Sequence, residues 1–167
     1  IFVAVWLLLV YYPLAHMVWG LGGFIAGLGA VDFAGGTVIH ISSGISGLVA
    51  CIILGSRKGF GIKDYHPHNI PMFFIGGAIL WVGWFAFNGG SALGANGLAV
   101  QAVGNTMIAS AAAMLSWMLI ETVLYKKVTV MGAMTGAIIG LVAITPGSGY
   151  VPFGAALVIG ALVSPIC

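Results

Sequence analysis

Charge is almost missing from this sequence. Lys and Arg together number 5 and Asp and Glu 3 among 167 residues, so charged side chains make up only 5%, against roughly a quarter in an ordinary soluble domain. Hydrophobic residues reach 61% and mean hydropathy is +1.18. A water-soluble globule of this composition would expose large apolar patches and aggregate, whereas a bilayer solvates such a surface directly. The few basic residues also exclude nucleic-acid binding, which needs enough Lys and Arg to neutralise phosphates. Cysteine is nearly absent too. Cys51 and Cys167 are the only two, and Cys51 lies in an apolar run where a thiol behaves as a small hydrophobe, so no disulfide is expected. Missing as well are a GxSxG elbow, an HExxH zinc motif and a phosphate loop with its lysine, so neither an enzyme nor a cofactor is expected. His66 and His68 flank Pro67, but a metal there would need ligands from elsewhere, and no metal site is expected.

What the sequence does contain is apolar stretches of helix length. Outer-membrane strands alternate polar and apolar residues over about ten positions. Here apolar character runs unbroken over stretches such as 70–87, which leaves an all-α polytopic membrane fold. Breaks at Gly, Pro and charged clusters predict one transmembrane domain with apolar segments near 1–12, 33–55, 70–92, 98–125, 129–145 and 151–167. The first and last are shorter than the roughly 20 residues a full span requires, so the chain is expected to be truncated at both ends. All five basic residues, Arg57, Lys58, Lys63, Lys126 and Lys127, fall in two connections separated by two spans. The positive-inside pattern therefore puts 56–69 and 125–128 in the cytoplasm of a multi-pass cell-membrane protein, and 19–32, 89–97 and 146–150 outside.

Glycine is plentiful at 27 residues. Gly132, Gly136 and Gly140 recur at helical spacing, as do Ser43 and Gly47, a pattern that lets backbones approach closely in lipid and equally suits ordinary glycine-rich membrane helices. Polar residues inside a span are costly and mark pathways by default, which singles out His40. A desolvated imidazole stays neutral and offers one donor and one acceptor to a small solute. A packed histidine bonded to a carbonyl is the alternative. Asp32 stands just before that helix, where a carboxylate can cap free N–H groups; a cation ligand is the other possibility, and structural support is the expected role. Trp84, Phe87 and Ser91 share one helical stripe that ends, with the Asn88 amide, at the outer surface. Such a stripe is usually core or lipid-facing, but aromatic faces with a hydroxyl and an amide can also hold a small cation. Glu121, near Lys126 and Lys127, reads as an interfacial charge reaching toward headgroups or a basic neighbour.

Three stretches carry a family resemblance: Ala15-His16-Met17-Val18-Trp19-Gly20, Asp32-Phe33-Ala34-Gly35-Gly36-Thr37-Val38-Ile39-His40 and Gly83-Trp84-Phe85-Ala86-Phe87-Asn88-Gly89-Gly90-Ser91. They resemble, in order, signatures of the Amt/Mep/Rh ammonium transporters, Amt-type above all. The match continues through Ala95-Asn96, Asn105-Thr106 and the run from Gly140 to Pro146, so it covers nearly the whole chain. The resemblance implies an eleven-helix protomer in a homotrimer with one pore each, of which this chain is the stretch from helix 4 into helix 9. It implies that Trp19 and Ser91 form part of an outer ammonium site, that Phe87 gates the pore, and that Trp84 and His40 line it. His40 would be the first of two pore histidines; the second, and another gating phenylalanine, are expected beyond the ends of this chain.

The implied function is ammonium transport across a bilayer. Ammonium is recruited at the aromatic and hydroxyl site, deprotonated, and passed as ammonia and proton along a histidine-lined apolar pore. A PII-type signal protein at the cytoplasmic face is an implied candidate partner. Two rivals stand beside this reading: an Rh-type neutral ammonia channel, against which the outer Trp19 argues, and an ammonium sensor whose membrane domain feeds a signalling module.

Overall fold

A computed structural model describes residues 1–63 and 65–167. Every regular element among them is helical. Helix α1 (Phe2–Trp6) runs through a π-helical turn, Leu7–Tyr11, into α2 (Tyr12–Trp19), and α3 (Phe24–Gly27) follows. A second π-helical turn, Gly36–Ile41, opens α4 (Ser42–Leu54). Then come α5 (Ile70–Gly90), α6 (Gly97–Tyr125), α7 (Val130–Ile144), a 3-10 turn at Thr145–Gly147 and α8 (Phe153–Ile166). Among the described residues five stretches are long and apolar enough to cross a membrane: Phe2–Gly27, Gly36–Leu54, Ile70–Gly90, Gly97–Tyr125 and Val130–Gly147. This is a polytopic helical membrane protein.

The first apolar segment, read from sequence as 1–12, continues helically to Trp19. Pro13 does not stop it, because the π-helical turn Leu7–Tyr11 lies directly before it, with the Tyr12 N–H bonded to the Leu7 carbonyl, so the proline falls where the regular i→i−4 ladder is already interrupted. The chain divides into two compact units, one of Ile1–Ala30 with Thr37–Asn69 and one of Val31–Gly36 with Ile70–Cys167.

In the first unit, α1 and α4 are tied by the Trp6 indole, which donates to Ser46 Oγ at 2.7 Å. Ser46 in turn donates to the Ser42 carbonyl at 2.8 Å. The π-helical turn just before α4 widens the backbone and disturbs the usual carbonyl pairing. Local serines supply donors there. Ser42 Oγ reaches the Val38 and Ile39 carbonyls at 2.6 and 3.1 Å, and Ser43 Oγ the His40 carbonyl at 3.2 Å.

In the second unit α6 is the spine, packed along α7 and α8, with α5 against α6 and α7. Between apolar helices in lipid there is no hydrophobic drive to associate, so close backbone approach and hydrogen bonds must hold them. Both are present. The α7 glycines face α6: a Cβ at Gly136 would lie 2.6 Å from Trp117 Cβ, and one at Gly140 would lie 2.6 Å from the Ala109 carbonyl oxygen. On α8, a Cβ at Gly160 would overlap that same Ala109 backbone. Hydroxyls cross the same seams. Ser110 donates to the Ala137 carbonyl at 3.1 Å, Ser116 to Ala161 at 2.8 Å and Ser164 to Ala113 at 2.7 Å. Ala109, Ala113, Ala137 and Leu141 are fully buried as a result.

Glu121 does not reach out to headgroups as the sequence suggested. Its carboxylate accepts from the Thr129 N–H at 2.8 Å and the Thr129 hydroxyl at 2.9 Å. Thr129 is the N-cap of α7, and its Oγ1 accepts from the Gly132 N–H at 2.9 Å. A carboxylate at a helix N-terminus also opposes the positive end of the dipole, which favours this site over an exposed lysine partner. The reversal between α6 and α7 is completed by Lys126 in the left-handed conformation, at φ 60°.

Because the α6 to α8 seam rests on absent side chains more than on hydrogen bonds, two substitutions in the full-length parent should separate these terms. Gly160→Val forces a branched side chain into backbone and should cost at least about 1–3 kcal/mol. Ser164→Ala removes one interhelical bond and should cost about 0.6 kcal/mol. Thermal unfolding in detergent measures both, and a larger loss for Ser164→Ala would contradict this ordering.

Candidate functional site

The strap that leads to His40 is built on Asp32. This carboxylate is buried, at 8% exposure, and one oxygen accepts from the Gly35 and Gly36 N–H groups at 2.9 and 2.7 Å. It thereby caps the start of the helical stretch that carries His40. Both glycines have a steric reason. Gly35 has φ 107°, which side chains rarely adopt, and a Cβ at Gly36 would sit 2.6 Å from the Pro146 ring. Phe33 locks the strap further: its N–H donates to the Pro146 carbonyl at 2.9 Å, and its ring meets Tyr150 edge-on at 5.3 Å. The strap residues 31–36 are thus clamped to the turn that follows α7.

Eight residues after Asp32, His40 occupies the π-helical turn. The residue is half-buried, with its Nε2 atom enclosed. Insertions of this type recur at functional positions, because they re-aim one side chain without ending the helix. Trp19 is the last residue of α2 and is 46% exposed. Trp19 and His40 both belong to the first unit.

The aromatic stripe lies on α5, in the second unit. Trp84 and Phe87 meet at 5.7 Å between ring centroids with planes at 62°. Ser91 Oγ donates to the Phe87 carbonyl at 2.9 Å, which leaves its lone pairs for an incoming donor. The structure therefore brings Trp84, Phe87 and Ser91 together on one helix. Asn88 is not at the outer surface as the sequence reading had it. It is fully buried, with its amide nitrogen donating to Thr106 Oγ1 at 2.9 Å, and Thr106 donates onward to the Ala102 carbonyl at 2.6 Å. Asn88 fastens α5 to α6.

Sequence reasoning missed Thr145. It is fully buried where α7 ends, its Oγ1 accepting from the Trp84 indole N–H at 2.9 Å and donating to the Leu141 carbonyl at 2.7 Å. The hydroxyl's one proton goes to Leu141 and one of its lone pairs to the indole, which fixes the direction from which Trp84 is held. The signals available were its place in the matching run from Gly140 to Pro146 and a proline directly after it at a helix end. Gln101 and Asn105 of α6 hold the following loop: Asn105 donates to the Ser148 and Val151 carbonyls at 2.8 and 2.7 Å, and Gln101 to Val151 at 3.0 Å. An open groove of about 780 Å³ borders α5 and α6, lined by residues such as Phe85, Ala86, Gly89 and Val103. Its one polar side chain, Asn96, caps α6 by accepting from the Ala99 N–H, and Trp84, Phe87 and Ser91 are not among its lining residues, so it reads as a helix-packing groove rather than a solute site.

Comparison with known proteins adds a consistent finding. All residues, 1–167, match the model of the Ammonium Transporter Family. The chain is 51% identical over 167 residues to an ammonium transporter of Bacillus subtilis (strain 168), covering all of this chain and 41% of that protein. It resembles the crystal structure of Saccharomyces cerevisiae Mep2 with TM-score 0.92 at 40% identity, over 98% of this chain and 37% of that one. It also resembles a structure described as a Sensor Amt Protein, with TM-score 0.86 at 32% identity, over 95% of this chain and 42% of that one. The chain thus spans about two fifths of the length of such relatives.

If Thr145 orients Trp84, Thr145→Val in the full-length parent should take the acceptor from a half-buried indole N–H and cost about 0.5–1.5 kcal/mol, while Thr145→Ser, which keeps both bonds, should stay close to the parent. Thermal unfolding of the two variants tests this, and equal losses would contradict it.

Proposed function

Because the chain belongs to the Ammonium Transporter Family, we propose that the protein of which it is part moves ammonium across a cell membrane. The observation that carries this reading is the ordered stripe on α5, where Trp84 is fixed by Thr145, Phe87 meets it edge-on and Ser91 sits one turn further along. In this proposal Trp19 and Ser91 recruit the cation at the outer mouth, Phe87 gates, and Trp84 and His40 line the apolar passage. Asp32 holds the backbone ahead of His40.

The energetics favour splitting the cation. A charge at mid-membrane costs about 2.5–3.5 kcal/mol on insertion scales and much more on an isolated helix in simulations. One aromatic face returns about 0.5–2 kcal/mol, enough to gather ammonium at the mouth but not to carry it through. Removing the proton costs about 1.4 kcal/mol for each pH unit between the amine pKa and ambient pH. That is comparable with the insertion cost and leaves a neutral, hydrogen-bonding solute. Ammonia then crosses along the histidines while the proton follows separately through them. The passage is completed by parts of the protein beyond this chain, in a homotrimer with one pore per protomer, and a PII-type signal protein docks at the cytoplasmic face. Likeness to a Sensor Amt Protein supports a second reading, in which the same membrane domain reports ammonium to an attached module.

In the full-length parent, His40→Ala should change the permeation rate or the selectivity between ammonium and larger cations with assembly intact; unchanged currents and selectivity would sink its assignment to the passage. Ser91→Ala should act more mildly, raising the half-saturating ammonium concentration by about 2–10-fold for the loss of one hydrogen bond. An unaltered concentration dependence would make Ser91 purely structural.

A further inference from the structure

Residues 57–63, in the connection between α4 and α5, form a hydrogen-bonded turn with an unusual surface. Gly59 and Gly61 take positive φ values of 81° and 74°. The fold of the turn is closed by backbone bonds from Phe60 N–H to the Arg57 carbonyl at 3.1 Å, from Ile62 N–H to Gly59 at 3.1 Å and from Lys63 N–H to Gly59 at 3.0 Å. The Tyr65 hydroxyl donates to the Lys58 carbonyl, and the Arg57 guanidinium lies 3.9 Å above the Tyr65 ring. Apolar side chains ordinarily fold back under such a turn. Here Phe60 is 66% exposed and Ile62 88% exposed, interleaved with the exposed cations Arg57, Lys58 and Lys63.

We propose that this turn docks on the anionic headgroups of the cytoplasmic leaflet, with Phe60 and Ile62 dipping into the interface and Arg57, Lys58 and Lys63 against the lipid phosphates. Five observations converge on a lipid rather than a soluble partner. Both flanking helical stretches, Gly36–Leu54 and Ile70–Gly90, have membrane-spanning length and hydropathy, so the turn leaves and re-enters one bilayer face. All five Lys and Arg residues lie in this connection and in the one at 125–128, which assigns that face to the cytoplasm, where anionic lipids collect. Bulky apolar side chains between cations are the composition of an interfacial element, since the rings and branches enter the headgroup zone while the charged tips remain at the phosphates. The Arg57 contact with Tyr65 holds one cation on the same turn as the apolar pair. Asp64 is the single acid in the stretch 56–69, which keeps the connection net positive. Nothing in the proposal depends on which solute the protein carries.

The test uses the full-length parent carrying Phe60→Trp, with Ile62→Trp as a second reporter, reconstituted in phosphatidylcholine vesicles that contain brominated phosphatidylglycerol. The unsubstituted parent supplies the background of its own tryptophans. Bromine quenches an indole it touches, so the added emission should be quenched at both positions. Moving the bromine to phosphatidylcholine in otherwise identical vesicles should weaken quenching, because the cations select the anionic lipid. Combining a reporter with Arg57→Gln, Lys58→Gln and Lys63→Gln should abolish that selectivity, by about fivefold for each cation removed. Two outcomes would overturn the proposal: no quenching at either position, or quenching that is the same for both lipids and unaffected by the three substitutions. Selective quenching that saturating inorganic phosphate eliminates at constant ionic strength would also overturn it, in favour of a site for a soluble phosphate-bearing partner.

Discussion

In a bilayer every backbone N–H and carbonyl must find its partner within the protein, and this constraint explains where the polar side chains of the chain are spent. Regular helix needs no help. At the departures from it the side chains supply the bonds: Asp32 caps the start of the stretch 36–54, Ser42 and Ser43 donate to carbonyls of the π-helical turn, and Thr145 serves the end of α7. Glu121 does the same through Thr129 where α7 begins. The irregular backbone around His40 and at the end of α7 exists because neighbours complete its hydrogen bonds.

Packing determines where those departures fall. Gly140 of α7 and Gly160 of α8 converge on the single Ala109 backbone of α6, so the three helices lie close enough for serine hydroxyls to bridge them. With α7 fixed in this way, Thr145 is fixed at its end, and through Thr145 so is the Trp84 indole. The strap at 31–36 uses the same turn from another side, with Gly36 against Pro146. A bundle of small residues thus orients the large aromatic ring, and the ring's angle is inherited from contacts one helix away.

The helical membrane class was legible from composition, because so few charges and such long apolar runs leave one kind of fold. The family was legible from three motifs read in order, and the match over the full chain agrees. Finer detail was harder to read where the deciding partner is remote in sequence. Asn88 looked like a surface amide beside Ser91, but Thr106 on the next helix buries it. Glu121 looked like a headgroup-seeking charge beside two lysines, but the N-terminus of α7 is a nearer and better directed partner. Thr145 fell inside a family-matching run, but nothing in the sequence tied it to Trp84, sixty-one residues before it. Pro13 looked like a break, and only the π-helical turn just before it reveals why the helix tolerates it.

In the function proposed above, the aromatics and hydroxyl of α5 draw a small cation from water and His40 takes part in passing it on in neutral form. The most direct test of that account is the current evoked by an ammonium jump across proteoliposomes of the full-length parent, recorded together with ammonia flux and compared with protein-free liposomes. The account predicts a saturable inward current absent from the protein-free control. Ammonia flux without current would contradict the separate passage of the proton and favour a neutral channel, and the absence of both would contradict transport and leave a sensor that binds ammonium without passing it.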